Sequence, residues 1–140
     1  MSNDKSWETL GYPEVPKWLT LIKSHDQIER DKGYTLLSEN LFDEPNVNSI
    51  KIIPAYIELL QKTSIPEKDG ILNFLHRLIS YSLTYLGNKS NESIAHEVID
   101  NINKGKDVFV RLSNDSQDDD VKTLAIVIIQ KLEMYEKYYT

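Results

Sequence analysis

Apolar positions step by three or four along nearly the whole chain, and no stretch alternates with period two for long enough to argue a strand, so the pattern predicts an all-α protein. Val15, Trp18, Leu19 and Ile22 form one stripe behind Pro16, which suits a helix's first turn because its missing N–H costs nothing there. Asp26 can cap the next segment, where Ile28, Gly33, Leu37 and Leu41 recur at steps of three to five and make a second helix antiparallel to the first. The run Asp43-Glu44-Pro45-Asn46 breaks it.

Ser49 is the expected cap of a third helix with Ile53, Ile57 and Leu60 inward; Pro54 is either tolerated in its first turns or displaces its start. Pro66 again occupies a first turn, and Ile71, Leu75, Leu78, Ile79, Ser82 and Leu86 trace one face of a long fourth helix. Gly87 to Asn91 reads as a stop and turn. Ile94, Val98, Ile102, Gly105, Phe109 and Leu112 then hold one face across the glycine. The spacing predicts a single fifth helix from Glu92 to Ser113, at a cost of roughly 1 kcal/mol for the interior glycine. A last helix, Asp119 to Lys137, turns Val121, Leu124, Ala125, Ile128 and Leu132 inward. Ahead of all six, residues 1–13 read as an irregular arm or one short turn, with Trp7, Leu10 and Tyr12 among polar neighbours and Gly11 and Pro13 discouraging a long helix.

Three acid-rich turns join these helices in pairs: Ser24 to Arg30, Thr63 to Lys68 and Asn114 to Lys122. A helix pair that cannot hide its apolar face alone hides it by stacking on another pair. The expected architecture is a short right-handed α-solenoid of about three antiparallel helix pairs, forming one domain over 1–140. The Ile28–Gly33 pair recurs as Ile65–Gly70, a little short of the roughly 40–47-residue period of HEAT or armadillo units. The segments Gly11-Tyr12-Pro13-Glu14-Val15-Pro16-Lys17-Trp18-Leu19, Ile53-Pro54-Ala55-Tyr56-Ile57-Glu58-Leu59-Leu60, Ile65-Pro66-Glu67-Lys68 and Val121-Lys122-Thr123-Leu124-Ala125 together resemble small bacterial HEAT-repeat proteins. The resemblance runs from about Trp7 to Leu132. It implies a HEAT-like α-solenoid without catalysis, and some such groups look like immunity proteins that neutralise toxins exchanged between bacteria.

Composition narrows the chemistry. With 140 residues the chain can bury a continuous core without staples, and with zero Cys it has no disulfide, thiolate metal site or cysteine nucleophile. The polar start, Met1 to Ser6, lacks the apolar core of a secretory signal, and runs such as Ile126 to Ile129 are too short to span a bilayer, so a cytoplasmic location is expected. Sixteen Lys plus Arg against twenty-two Asp plus Glu leave a charge of −6, which disfavours direct binding of nucleic acid and favours basic partners.

No catalytic constellation stands out. His25, His76 and His96 are never four residues apart, as a helical metal pair requires, and His96-Glu97 lacks the second histidine of a zinc protease. The five glycines stand singly, so no phosphate loop forms, and no nucleophile elbow occurs. Neither a cofactor nor a metal is expected, and the chain reads as a non-enzyme.

Two surfaces remain as candidates for binding. Asp115, Asp118, Asp119 and Asp120 crowd the last turn; Glu67 and Asp69 flank the fourth helix's start, and Asp26 and Glu29 the second's. As structure, these carboxylates cap helices and favour their positive N-terminal ends; as function, they can focus a negative potential onto a basic surface, with the three turns expected along one acidic ridge. Tyrosines such as Tyr81, Tyr85, Tyr135, Tyr138 and Tyr139 recur at helical spacing and suit edge packing or an interface. The expected function is an immunity protein that occludes a basic, nuclease-type toxin domain, with a scaffold or adaptor module binding another protein or peptide as the alternative.

Overall fold

The computed structural model describes residues 7–41, 45–87 and 92–139, and among them every regular element is helical. Eight helices occur among the described residues: α1, described at 7–9, then α2 (Val15–Ile22), α3 (Gln27–Leu41), α4 (Val47–Leu60), α5 (Lys68–Thr84), α6 (Glu92–Asn103), α7 (Lys106–Asp115) and α8 (Asp119–Tyr139). The residues divide into two compact units, the first of 1–42 with 64–66 and the second of 43–63 with 67–140.

In the first unit, α2 packs on α3 with almost no space between them. A Cβ at Gly33 would lie 2.8 Å from Leu21 Cβ and 2.9 Å from Ile22 Cγ2, so glycine here permits the close approach. Val15, Ile22, Leu37 and Leu41 are buried, as their stripes predict, and Trp7 is buried in the helical turn that opens the arm. Ile28 departs from the expected stripe, being 80% exposed. A step of five residues rotates a helical position by about 140°, so Ile28 cannot share a face with Gly33. Arg30 stands nearer that face, and its guanidinium donates to the Ser24 carbonyl at 3.0 Å.

In the second unit, α4 begins earlier than its sequence suggests. Asn46, extended at φ −159°, caps it by accepting from the amides of Asn48 at 2.8 Å and Ser49 at 3.0 Å. Ser49, the expected cap, instead sits one turn in and accepts from the Asn46 amide at 2.9 Å, closing a reciprocal capping box. Pro54 thereby falls inside the helix, on its exposed side, where water can serve the carbonyl it leaves without a donor.

The helix expected from Glu92 to Ser113 is two helices. Gly105 leaves the helical basin at φ −94°, ψ 10° and becomes the residue before α7, its carbonyl accepting from Val108 at 2.9 Å. The requirement for glycine comes from another element: a Cβ at Gly105 would meet Ile57 Cδ1 at 2.7 Å. Because the interruption is brief, Ile102 before it and Phe109 after it are still both buried, and that continuity is what the spacing registered.

Direction within this unit follows from particular contacts. Tyr56 meets Phe74 edge-on at 5.2 Å, consistent with α4 and α5 forming an antiparallel hairpin across residues 61–67. Asp69 and Asn73 share a groove with Asp120, Thr123 and Leu124, while further along Lys131 Nζ donates to Ser80 Oγ at 2.8 Å, so α5 and α8 run parallel. Ile57 faces Gly105 and Leu60 shares a cleft with Val108, so α7 runs parallel to α4. The α7–α8 hairpin therefore repeats the direction of the α4–α5 hairpin beside it. Ile71, Leu75, Leu78, Ile79 and Ser82, the predicted face of α5, are all buried, as are Val121, Ala125, Ile128 and Leu132 of α8; Leu124 is half-buried.

Candidate functional site

The N-termini of α5 and α8 bring acidic side chains together. At α8, the Asp118 carboxylate accepts from the amides of Asp120 at 2.9 Å and Val121 at 3.2 Å, satisfying two donors that a helix start leaves without partners. The Asp118 amide donates in turn to Ser116 Oγ at 3.1 Å. α3 opens on the same device: the Asp26 amide donates to Ser24 Oγ at 3.0 Å, and the Asp26 carboxylate accepts from the Ile28 amide at 2.9 Å. Two of the three turns that look alike in sequence are thus alike in hydrogen bonding.

The middle turn is built differently. Glu67 precedes α5 in the left-handed region, φ 54° and ψ 50°, without a side-chain cap, and it is the one non-glycine residue with positive φ among those described. For an L-residue that conformation costs roughly 1–2 kcal/mol.

Parallel packing brings Asp69, two residues after Glu67 of the middle turn, to the same place as Asp118 and Asp120 of the last. Asp69 and Asp120 line one groove of about 410 Å³ between α5 and α8, with Gly70, Asn73, Thr123 and Leu124. Partial burial first, then the Asp118 carboxylate and, more weakly, the Glu67 carboxylate hold the Asp69 pKa above the usual carboxylate range, while its bonds to the amides of Asp69 and Gly70 pull the other way. Asp119 is exposed at the first position of α8, and Asp115 ends α7 beside a different cleft.

The other expected site residues sit within their own elements. Asp26 and Glu29 belong to the first unit, where Glu29 accepts a 2.6 Å bond from Ser24 Oγ, so both serve the start of α3. Tyr81 is exposed and Tyr85 half-buried at the C-terminal end of α5, and the twelve residues from Asp69 to Tyr81 span about 18 Å of helix. Acids and tyrosines therefore mark opposite ends of α5.

One polar cluster was not foreseen. Tyr135, only 3% exposed, donates from its hydroxyl to Asp100 Oδ1 at 3.2 Å and lies 2.7 Å from His96 Nδ1, while His96 Nε2 stands 3.5 Å from a Glu92 carboxylate oxygen. Burial, with the Asp100 carboxylate adding to it, pushes the Tyr135 phenol up to about 12. The spacing of Glu92, His96 and Asp100 at successive helical turns was visible in the sequence, but the partner 39 residues on was not. Among the described residues no group of three acidic, histidine or cysteine side chains is placed to hold a metal ion.

No protein-family model, curated protein or solved structure matches this chain. What the site can do is therefore argued from its own geometry. Carboxylates on two adjoining helix starts, mostly open to solvent, offer an array of acceptors and negative charge but no paired acid and base with separated environments. No described helix is long and apolar enough to cross a membrane.

Proposed function

We propose that this chain is a HEAT-like helical-repeat protein that holds another protein, most concretely an immunity protein that occludes the active or substrate-binding face of a basic, nuclease-type toxin domain. The observation that carries the reading is the meeting of Asp69, with Glu67 acting on it from the same helix start, with Asp118 and Asp120 across the parallel α5–α8 pair. Capping explains Asp118 alone; it does not call for a second helix start bearing acids at the same place, where like charges repel. A basic partner relieves that repulsion, and the same carboxylates compete for the lysines and arginines that would otherwise hold nucleic-acid phosphates. The repeated direction of two neighbouring hairpins supports the solenoid part of the reading, since stacked repeats keep equivalent helices parallel.

Co-expression tests it. A nuclease toxin encoded beside this chain's gene should lose its toxicity when the chain is present, and the complex should weaken steeply as salt is raised toward about 1 M, where the Debye length falls to about 3 Å. Toxicity that persists overturns the immunity reading. A complex indifferent to salt, held by apolar contact with a partner of no toxic activity, would instead make the chain an adaptor.

A further inference from the structure

A second concavity in the same unit has the opposite character from the acidic groove. It is a cleft of about 280 Å³ bounded by the end of α4, the first residue of α5 and the last turns of α7. Its wall includes the apolar side chains of Leu60, Val108 and Leu112, and two cations, Lys68 and Arg111, border it with Asp115. Among the described residues neither cation has a carboxylate within 4.0 Å. Lys68 nonetheless loses part of its hydration, and burial alone lowers its pKa from the usual lysine range. In a chain of net charge −6, this cleft presents two positive charges to one negative one. The backbone beside it is the left-handed Glu67, and strain of that kind is retained where a neighbouring arrangement is needed.

We infer that this cleft binds the C-terminal carboxylate of a partner polypeptide whose last residue is apolar and about the size of leucine. The argument is one of juxtaposition. Within a polypeptide, only the C-terminal residue carries a carboxylate and an apolar side chain on a single carbon, and the cleft, of about 280 Å³, places cations beside an apolar wall. Lys68 and Arg111 supply charge-assisted donors to the carboxylate, and Leu60, Val108 and Leu112 cover the side chain. Asp115 borders the cleft as an opposing charge and weakens the fit. The inference rests on the reading that the chain binds another protein, but its test requires no toxin, so either can fail alone.

The probe is acetyl-glycyl-glycyl-leucine with a free carboxylate, compared with its C-terminal amide and with acetyl-triglycine, followed by amide chemical shifts of the uniformly labelled protein. Saturable shifts are expected at residues 60–68 and 108–116, with binding about tenfold weaker for the amide and for acetyl-triglycine. Lys68→Gln combined with Arg111→Gln should abolish the shifts while circular dichroism and the thermal midpoint stay near those of the parent, and Asp115→Asn should tighten binding. Equal binding of acid and amide, shifts centred elsewhere, or no saturable shift at millimolar peptide would each overturn the proposal.

Discussion

Ile57 occupies the space that any side chain at Gly105 would need: a Cβ built there falls 2.7 Å from Ile57 Cδ1 and 2.9 Å from Cγ1. That contact joins α4 to the junction of α6 and α7, and it explains why this position takes a residue without a side chain. Gly105→Ala should therefore lower stability by about 1–3 kcal/mol, the range for overpacking, even though alanine is the better helix former. Urea unfolding midpoints check it. Combining Gly105→Ala with Ile57→Ala should cost less than the sum of the two changes, because the second opens the space the first requires.

Removing the α8 cap separates structure from charge. Asp118→Ala should destabilise by about 1 kcal/mol through the amides of Asp120 and Val121, whereas Asp118→Asn keeps an acceptor and should cost little. Asp69→Asn with Asp120→Asn should leave helicity intact and not lower the thermal midpoint, yet weaken capture of a basic partner. A double variant that still binds as tightly as the parent would show the groove acids to be bystanders.

Asp69 should give stability an unusual dependence on pH. Its folded pKa lies above its unfolded value, so between the two the folded state binds more protons and stability falls as pH rises. The contribution is unfavourable at neutral pH and disappears as pH drops through the ordinary carboxylate range. Asp69→Asn is thus expected to be more stable than the parent at pH near 7, with the difference shrinking on acidification, as read from paired urea titrations. Its size should stay small because much of the carboxylate remains in water.

Tyr135→Phe removes the hydroxyl that joins α8 to Asp100 and His96 and should cost about 0.5–1.5 kcal/mol. The phenol also sets an alkaline limit. With its folded pKa raised to about 12, the unfolded chain ionises first, so stability should fall from the normal tyrosine range near 10 up to that value. Spectrophotometric titration should show one fewer late phenol in Tyr135→Phe than in the parent.

Where local rules suffice, the sequence was legible. The buried face of α5 follows from its 3.6-residue period, and the Asp26 and Asp118 caps follow from short polar side chains next to free amides. Where a distant partner decides, it was not. Gly105 must be glycine because of Ile57, and Ile28 reads as core only until its rotation from Gly33 is worked out. The candidate site divides in the same way: the acids at 67–69 and 118–120 were each visible, but their meeting depends on α5 and α8 running parallel. Lys68 and Arg111 carried no signal at all, since nothing in their spacing places them at one cleft.

The bond from Lys131 to Ser80 closes a separation of 51 residues along the chain. During synthesis the side of α5 that receives α8 must then wait for its cover, for about 3–10 s at ribosomal rates of roughly 5–20 residues per second. For that interval the nascent chain shows apolar surface to everything around it, which makes the pace of translation through the second hairpin a determinant of how much protein escapes aggregation.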